Sequence, residues 1–180
     1  GNIGGMMITG SHLKSDQNGF KLSVGKDNLY GEQIQALRTR IESGDLAEGA
    51  GQTHVDEGVR ERYLAMAAAR LPRGRSLKIV VDAGNGMGGV FGVPLLEALG
   101  HRVTCLYCEP DGSYPNHQPD PQVPANLRDL AARVAQEGAD LGLAFDGDAD
   151  RVGVVDDQGN AIPADRVLIL LARDTLARHP

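Results

Sequence analysis

Three aspartates alternate with small residues in one short segment, which makes it the strongest candidate for chemistry in the sequence. Asp146, Asp148 and Asp150 are separated by a glycine and an alanine, and Arg151 follows them. Three carboxylates this close repel one another, so stability alone rarely selects them. A hard divalent cation cancels the repulsion, and oxygen ligands suit Mg²⁺ better than Zn²⁺. This segment, called the Asp loop (residues 146–151), therefore predicts a Mg²⁺ site.

Two other interpretations of the Asp loop fit the sequence less well. A polar hairpin turn needs one or two Asp or Asn residues, not three in alternation. An EF-hand calcium loop needs glycine where Arg151 stands and glutamate where Asp157 stands, and it needs a helix on each side. The apolar runs at residues 141–145 and 152–155 predict strands instead.

A second candidate lies near the start of the chain. Ser11 follows an apolar run at residues 6–9 that predicts a short strand, and His12 stands beside it. Lys21 lies on the next predicted strand, residues 20–24. A serine next to a base and a cation is a candidate nucleophile. The same residues also fit an ordinary polar loop, so on their own they leave both interpretations open.

The elements that must position these residues follow a simple order from residue 77 onward. Apolar runs typical of buried parallel strands alternate with patterns typical of amphipathic helices. The predicted order is strand 77–81, helix 90–99, strand 103–107, a helix that ends before Gly138, and strand 141–145. This βαβαβ order predicts an α/β fold with a parallel sheet, right-handed crossovers and helices on both faces. The Asp loop would lie at the carboxyl end of a strand, where open α/β sheets bind ligands.

The flanking parts of the chain predict less complete structures. The first part contributes two short strands and a helix that ends at Gly44, which is an incomplete α/β segment. Gly and polar residues at 43–53 form the best candidate linker, and Asp56 would cap the helix after it. Asp165 would cap a last helix with a buried apolar face. That face comprises Val167, Leu168, Leu170 and Leu171.

Composition narrows the class of protein. The formal net charge of -6 argues against a nucleic-acid-binding protein, and no apolar run reaches the length that spans a membrane. No signal peptide precedes the first predicted strand, so we expect a cytoplasmic protein. Cys105 and Cys108 lie in a predicted strand and its end, where their side chains would point to opposite faces. We therefore expect packing thiols in a reducing compartment.

A glycine-rich turn offers a competing function. Residues 84–89 match G-x-G-x-x-G, follow a strand and open a helix, and Glu109 ends the next strand. That arrangement fits a Rossmann-like domain that binds NAD or another nucleotide. It also fits a glycine turn that lets a strand and a helix pack closely. The Asp loop favours the second interpretation, because its three carboxylates would lie close to the pyrophosphate.

Several motifs together resemble those of the α-D-phosphohexomutase family, and they come in order along the chain. They are TGSH at residues 9–12, NGFK at 18–21, DAGNG at 82–86, DGSYPNHQPDP at 111–121 and DGDADR at 146–151. The resemblance covers essentially the whole chain, and the Ser-His motif combined with the Asp loop is highly specific. One departure is Leu13-Lys14, where the family usually has Asn-Pro, so the rigid turn after Ser-His is missing.

The resemblance implies an enzyme that interconverts the 1- and 6-phosphates of mannose or glucose through a phosphoserine and a bisphosphorylated sugar. Ser11 would be the phosphoserine, and the carboxylates of the Asp loop would hold Mg²⁺ together with a phosphoserine oxygen. His12 and Lys21 would flank the transfer site as acid/base and electrostatic groups, and Arg151 would contact phosphate. The glycine turn would be structural.

The resemblance also implies domain boundaries. Residues 1–53 would be the end of the family's first domain, residues 54–160 the whole second domain and residues 161–180 the start of the third. The sugar- and phosphate-binding loops of the family's third and fourth domains have no counterpart here, so we expect no turnover by this chain alone. The strand edge of the first segment would be exposed, which predicts self-association.

Overall fold

The computed structural model describes residues 3–10 and 16–179, so Ser11 and His12 lie outside the described residues. The helices and strands follow in chain order. They are β1 (Gly4–Thr9), β2 (Gly19–Val24), β3 (Asp27–Asn28), α1 (Glu32–Ser43), α2 (Val59–Arg70), β4 (Lys78–Asp82), α3 (Gly88–Ala98), β5 (Arg102–Leu106), a 3₁₀ turn (Pro124–Leu127), α4 (Arg128–Glu137), β6 (Leu141–Phe145), β7 (Val152–Val155), β8 (Ala161–Ile162) and α5 (Ala164–Arg178).

One mixed sheet of five strands forms the centre of the fold. Its strand order is β5-β4-β6-β7-β8, in which β5, β4 and β6 are parallel and β7 and β8 are antiparallel. The predicted α/β fold with a βαβαβ unit is confirmed. The sheet is mixed because the chain reverses at the Asp loop, so that Phe145 of β6 pairs with Val152 of β7.

The two crossover helices cover opposite faces of the sheet. On one face, Leu130 of α4 packs with Val80 and Ala144 in the buried core. On the other face, α3 approaches Phe145 so closely that a Cβ at Gly88 would lie 2.8 Å from its side chain. Consecutive strand residues point to opposite faces, and Phe145 follows Ala144. The prediction of helices on both faces is therefore confirmed.

The first segment forms a separate small sheet. β1, β2 and β3 are antiparallel, and α1 borders an open apolar groove beside them. Large apolar side chains of this sheet remain exposed, among them Met6 at 61% and Phe20 at 60%. A short hairpin whose apolar side chains are uncovered is only marginally stable in water. This agrees with the prediction of an incomplete α/β segment.

Both predicted aspartate caps differ in the structure. The N-cap of α5 is Pro163, so Asp165 lies inside the first turn. The N-cap of α2 is Gly58, and the Asp56 carboxylate accepts the Gly58 N–H at 3.1 Å, one residue before the helix starts. Each aspartate thus lies near a helix start, as expected, but neither occupies the capping position.

The predicted burial of the apolar face of α5 is wrong for the described residues. Leu168 and Leu170 are 64% and 61% exposed, and none of the residues described in α5 is buried. The helix contacts the sheet at β7, near Val167, and the other apolar side chains of its face stay uncovered by the described residues. Among the residues that the structure describes, no helix is both long and apolar enough to cross a membrane.

The side chains of Cys105 and Cys108 meet, with their Cα atoms 6.0 Å apart. The prediction that these two side chains point to opposite faces is therefore wrong. β5 ends at Leu106, and Tyr107 has a φ of 54° in the left-handed region, which turns Cys108 back toward Cys105. Strand alternation, on which the prediction depended, does not extend to the second cysteine.

Candidate metal centre

The Asp loop connects β6 to β7 at the carboxyl end of β6. The N–H of Asp146 donates to the carbonyl of Arg151 at 3.3 Å, and the N–H of Ala149 donates to the carbonyl of Asp146 at 3.1 Å. Ala149 has a φ of 61°, which lies in the left-handed region. These bonds curl the loop so that its alternate side chains converge.

The three carboxylates meet on one side of the loop. One carboxylate oxygen from each of Asp146, Asp148 and Asp150 lies within 4.8 Å of the others. Exposure increases along the loop, from the buried Asp146 through the half-buried Asp148 to the exposed Asp150. Loss of hydration, followed by the negative charges of Asp146 and Asp148, raises the pKa of Asp150. Converging carboxylate oxygens whose negative charges repel one another fit a hard divalent cation, so the residues present suit a metal ion.

Arg151 anchors the buried end of the loop. Its Nε donates to Asp146 Oδ2 at 2.9 Å, and its Nη2 lies 2.8 Å from the same oxygen. Its backbone N–H donates to Asp146 Oδ1 at 3.0 Å, and its Nε lies 3.6 Å from Asp150 Oδ1. The guanidinium therefore balances the charge of Asp146 and stands beside the converging carboxylates.

The glycine turn after β4 supports the Asp loop from the neighbouring strand. The N–H of Met87 donates to the carbonyl of Gly147 at 3.0 Å, and a Cβ at Gly86 would come within 2.7 Å of the same oxygen. A Cβ at Gly89 would overlap the backbone of Cys108 at 2.2 Å. Close packing against protein backbone therefore requires these glycines, and nothing favours the dinucleotide-binding alternative.

The end of β1 reaches the Asp loop from a distant part of the sequence. The hydroxyl of Thr9 donates to Asp148 Oδ2 at 2.5 Å across a separation of 139 positions. Thr9 is the last residue of β1 and precedes Ser11 by two positions. The structure therefore brings the strand that leads to Ser11 against the loop, while Ser11 and His12 themselves lie outside the described residues.

Lys21 lies on β2, where it pairs with Met7 of β1. Paired residues of an antiparallel ladder share a face, as do residues two apart on one strand, so Lys21, Met7 and Thr9 share one face of the hairpin. Met6 and Phe20 lie on the other face, toward the groove beside α1. Lys21 is exposed on the face from which Thr9 reaches the Asp loop.

Two further features near the Asp loop were not singled out from the sequence. His117 and the buried Asp82 form a pair, with Nε2 3.0 Å from Oδ2. A cavity of about 390 Å³ next to Asp148 is bordered by Arg60 and Tyr63 of α2. The motif at residues 111–121 contains His117, but the motif of a polar loop does not indicate which strand the loop contacts. The helical pattern of α2 indicated packing alone.

Fold and site together define an α/β protein with an aspartate loop suited to a metal ion at the end of a strand. The family model for phosphoglucomutase/phosphomannomutase, alpha/beta/alpha domain II, matches residues 61–159, which is more than half of the chain. The chain therefore belongs to the phosphoglucomutase/phosphomannomutase family, in agreement with the resemblance of its motifs. The expected domain boundaries stay predictions.

Named relatives match nearly the whole chain. It is 52% identical over 176 residues to the phosphomannomutase/phosphoglucomutase of Pseudomonas aeruginosa, covering 98% of this chain and 38% of that protein. It is 48% identical over 177 residues to the phosphoglucomutase of Neisseria meningitidis serogroup B, with the same coverage. The crystal structure of a phosphoglucomutase/phosphomannomutase family protein from Burkholderia thailandensis matches with a TM-score of 0.89 at 40% identity, over 98% of this chain and 38% of that chain. The chain thus spans a little over a third of the length of the curated relatives it matches.

Proposed function

We propose that this chain is the phosphoserine- and metal-binding part of a phosphohexomutase that interconverts the 1- and 6-phosphates of mannose or glucose. One observation carries the proposal, namely the Thr9–Asp148 hydrogen bond of 2.5 Å, which brings the strand leading to Ser11 against the Asp loop. A phosphate on Ser11 would then lie near a cation held by the carboxylates. The name phosphomannomutase/phosphoglucomutase, given to a relative, supports the substrate class.

Ser11 would act as the carrier of the phosphoryl group. In the first transfer, the bond from phosphorus to Ser11 Oγ breaks while a bond from phosphorus to a sugar hydroxyl oxygen forms. The hydroxyl proton passes to a base, for which His12 is the candidate. The second transfer reverses these changes at the other phosphate of the bisphosphorylated sugar and returns a phosphoryl group to Ser11. Such transfers require positioning and charge neutralisation more than covalent assistance.

The charged residues of the site would have different electrostatic roles. Lys21, on the same hairpin face as Thr9, would neutralise phosphoryl oxygens, and Arg151 would contact phosphate while it anchors Asp146. The three carboxylates of the Asp loop would hold Mg²⁺, which supplies further neutralisation of the phosphoryl oxygens when it is bound. Mg²⁺ is proposed over Zn²⁺ because the donors are all oxygens.

A chimera tests the transfer chemistry. This chain would replace the matching segment of the Pseudomonas aeruginosa relative, which supplies the remaining length of the protein. We expect the chimera to convert mannose 1-phosphate to mannose 6-phosphate, and Ser11→Ala to lower the rate by about 10³-fold or more, because the carrier oxygen is lost. The control is Ser43→Ala at the exposed end of α1, where the hydroxyl donates to the Arg40 carbonyl and the rate should not change. Near-normal turnover by the Ser11→Ala chimera would refute the proposal.

Cation binding is tested on this chain itself by calorimetric titration with Mg²⁺. We expect weak binding without phosphate on Ser11 and much tighter binding with it, because Mg²⁺ keeps several waters and usually takes phosphate oxygens as well. Asp148→Asn should weaken the binding by about tenfold or more. The matched control Asp157→Asn changes an exposed carboxylate beyond β7 and should not weaken it. Equal affinity with and without the phosphate would mean that Ser11 and the Asp loop do not share the cation.

The setting of the protein forms part of the same proposal. We propose a cytoplasmic location, as expected from the sequence, and self-association through the edge of the β1–β2 hairpin, whose apolar side chains are exposed. Amide protection of β1 and β2 that increases with protein concentration would support this self-association.

A further inference from the structure

A partly buried ion pair joins the end of β4 to the loop that follows β5. Asp82, the last residue of β4, is 1% exposed, and its carboxylate lies 3.0 Å from His117 Nε2. Asp82 Oδ1 also accepts the N–H of Gly84 at 2.9 Å. On the other side of the ring, His117 Nδ1 lies 2.9 Å from the carbonyl oxygen of Gln118. Carbonyl and carboxylate oxygens accept hydrogen bonds, so both ring nitrogens face acceptors, an arrangement that an imidazolium satisfies with both of its N–H groups.

The groups that face the ring favour this charged form. The hydrogen bond to Asp82 is the main cause that raises the pKa of His117, while partial burial opposes it and the Gln118 carbonyl and the Asp129 charge add to it. Tyr107 meets the ring edge-on, with centroids 5.5 Å apart. Its hydroxyl donates to Asp129 at 2.7 Å, and this bond raises the pKa of Tyr107 to about 12, so Tyr107 is neutral at physiological pH.

Further contacts make the glycine turn and the loop at residues 107–121 one unit. Asn116 Nδ2 donates to Asn85 Oδ1 at 2.8 Å, and Asn85 Nδ2 donates to the carbonyl of Glu109 at 2.9 Å. Pro119 is buried and packs against the turn, since a Cβ added at Gly84 would lie 2.8 Å from the Cβ of Pro119. The Asp82–His117 pair also joins the turn to this loop, and it adds a charged interaction to these contacts.

This unit touches the Asp loop and the strand that follows the loop. On the turn side, Gly147 accepts the backbone hydrogen bond of 3.0 Å described above. On the other side, Pro121 fills the space beside Gly153, where an added Cβ would lie 2.9 Å from the proline Cβ. Asp120, the residue before it, is close enough for its charge to stabilise the guanidinium of Arg151. The unit that the ion pair joins therefore contacts the Asp loop at Gly147 and the following strand at Gly153, and the charge of its Asp120 acts on Arg151.

We propose that His117, held as an imidazolium by Asp82, is a positioning residue for the Asp loop. Loss of its proton leaves one donor for two acceptors, so one contact of the ring is released and the backbone around Gly147 and Arg151 loosens. The affinity of the loop for a divalent cation then falls as pH rises through the titration of His117, whereas affinity ordinarily rises with pH as ligands lose protons. The predicted change in cation affinity rests on the proposed function, whereas the positioning of the Asp loop by His117 does not.

Amide exchange of the complete chain tests the positioning. His117→Gln removes the charge and keeps an amide donor. The control is the same substitution at His54, which is exposed in the segment before α2. In His117→Gln, we expect exchange at residues 147–151 to accelerate at least about tenfold more than at Val80 and Leu130. A merely structural role would accelerate both sets equally, and that result would overturn the inference.

The wild-type protein supplies a test that does not depend on how a variant folds. Ring nitrogen signals should show both nitrogens of His117 protonated at about pH 6. As pH rises, the amide signals of residues 147–151 should shift with the same midpoint as the ring signals. Amide signals that do not follow the ring overturn the inference.

Mn²⁺ titration provides the functional comparison. We expect the wild-type affinity to fall about threefold between about pH 6.5 and pH 8.5 and that of His117→Gln to show no such fall. If the wild-type protein binds Mn²⁺ and its affinity does not fall over this pH range, the inference is overturned and the proposed function stands. Wild-type protein that binds no cation contradicts the proposed function, and amide exchange then decides the positioning role.

Discussion

At the scale of single residues, the Asp loop depends on one strained position. Ala149 adopts a φ of 61°, a region in which a Cβ approaches the following carbonyl oxygen. Such a conformation costs roughly 1 kcal/mol or more in a residue other than glycine. The hydrogen bonds around Asp146, which accepts from both Ala149 and Arg151, maintain it. The convergence of the carboxylates is thus accompanied by local backbone strain.

Replacement of this alanine by glycine should relieve the strain. We expect Ala149→Gly to raise the free energy of unfolding by about 0.5–1 kcal/mol, measured by urea denaturation. The control is Ala132→Gly on the exposed side of α4, where the same change should lower stability by about 1 kcal/mol. A loss of similar size at both positions would show that the left-handed conformation at Ala149 costs nothing.

At the scale of elements, the chain contains parts of very different completeness. The central strands β4 and β6 carry buried side chains and are covered by helices, whereas β1 and β2 carry exposed apolar ones. The exposed fractions of Met7 and Ile8 are both 61%. The Thr9–Asp148 hydrogen bond links the two parts, but a single hydrogen bond contributes only about 1 kcal/mol. The β1–β2 hairpin therefore opens more easily than the central sheet.

Hydrogen exchange of the dilute chain should reveal this difference. We expect slow exchange at Ile79–Val81 in β4 and at Leu141–Leu143 in β6, and fast exchange along β1 and β2. If the hairpin edge pairs with a second copy, protection of β1 and β2 should increase with protein concentration while protection of β4 stays constant. Strong protection of the hairpin in a dilute monomer would contradict the expected weakness of this segment.

At the scale of the whole molecule, groups with opposite pKa shifts set how stability depends on pH. A hydrogen bond from Thr104 is the main cause that lowers the pKa of Glu137, and Lys78 contributes to it. The N–H of Lys78 likewise lowers the pKa of Asp140. These carboxylates stabilise the fold above their ordinary pKa values and lose that effect as pH falls through their lowered values. His117, whose pKa is raised above 6.5, stabilises the fold below 6.5 and loses that effect as pH rises through its raised value.

Stability should therefore be greatest between about pH 4.5 and pH 6.5, the ordinary values of Glu and His. Urea denaturation across a pH series measures this profile. We expect His117→Gln to lose the decline on the alkaline side and to keep the acid one. Glu137→Gln should reduce the decline on the acid side. If the alkaline decline in stability is unchanged in His117→Gln, groups other than His117 cause it.

Local patterns were enough to predict the order of the central elements and the three carboxylates of the candidate cation site. The apolar runs at residues 141–145 and 152–155 coincide with β6 and β7, because strands between short turns are visible in sequence. The apolar face of α5 was mispredicted, because periodicity shows which side chains share a face and not what covers it. The contact between Cys105 and Cys108 was missed because strand alternation was extended past the left-handed turn at Tyr107.

The sequence by itself determined the family, the α/β class and the oxygen-only ligands of the candidate cation site, since motif and periodicity are properties of neighbouring residues. Only the tertiary structure decided that Thr9 meets Asp148 and that Asp82 pairs with His117. These partners lie 139 and 35 positions apart. The parallel crossovers bring β4 and β6 side by side, so that their carboxyl ends meet at one edge of the sheet. Which side chains meet there depends on register and loop packing, which no local pattern specifies.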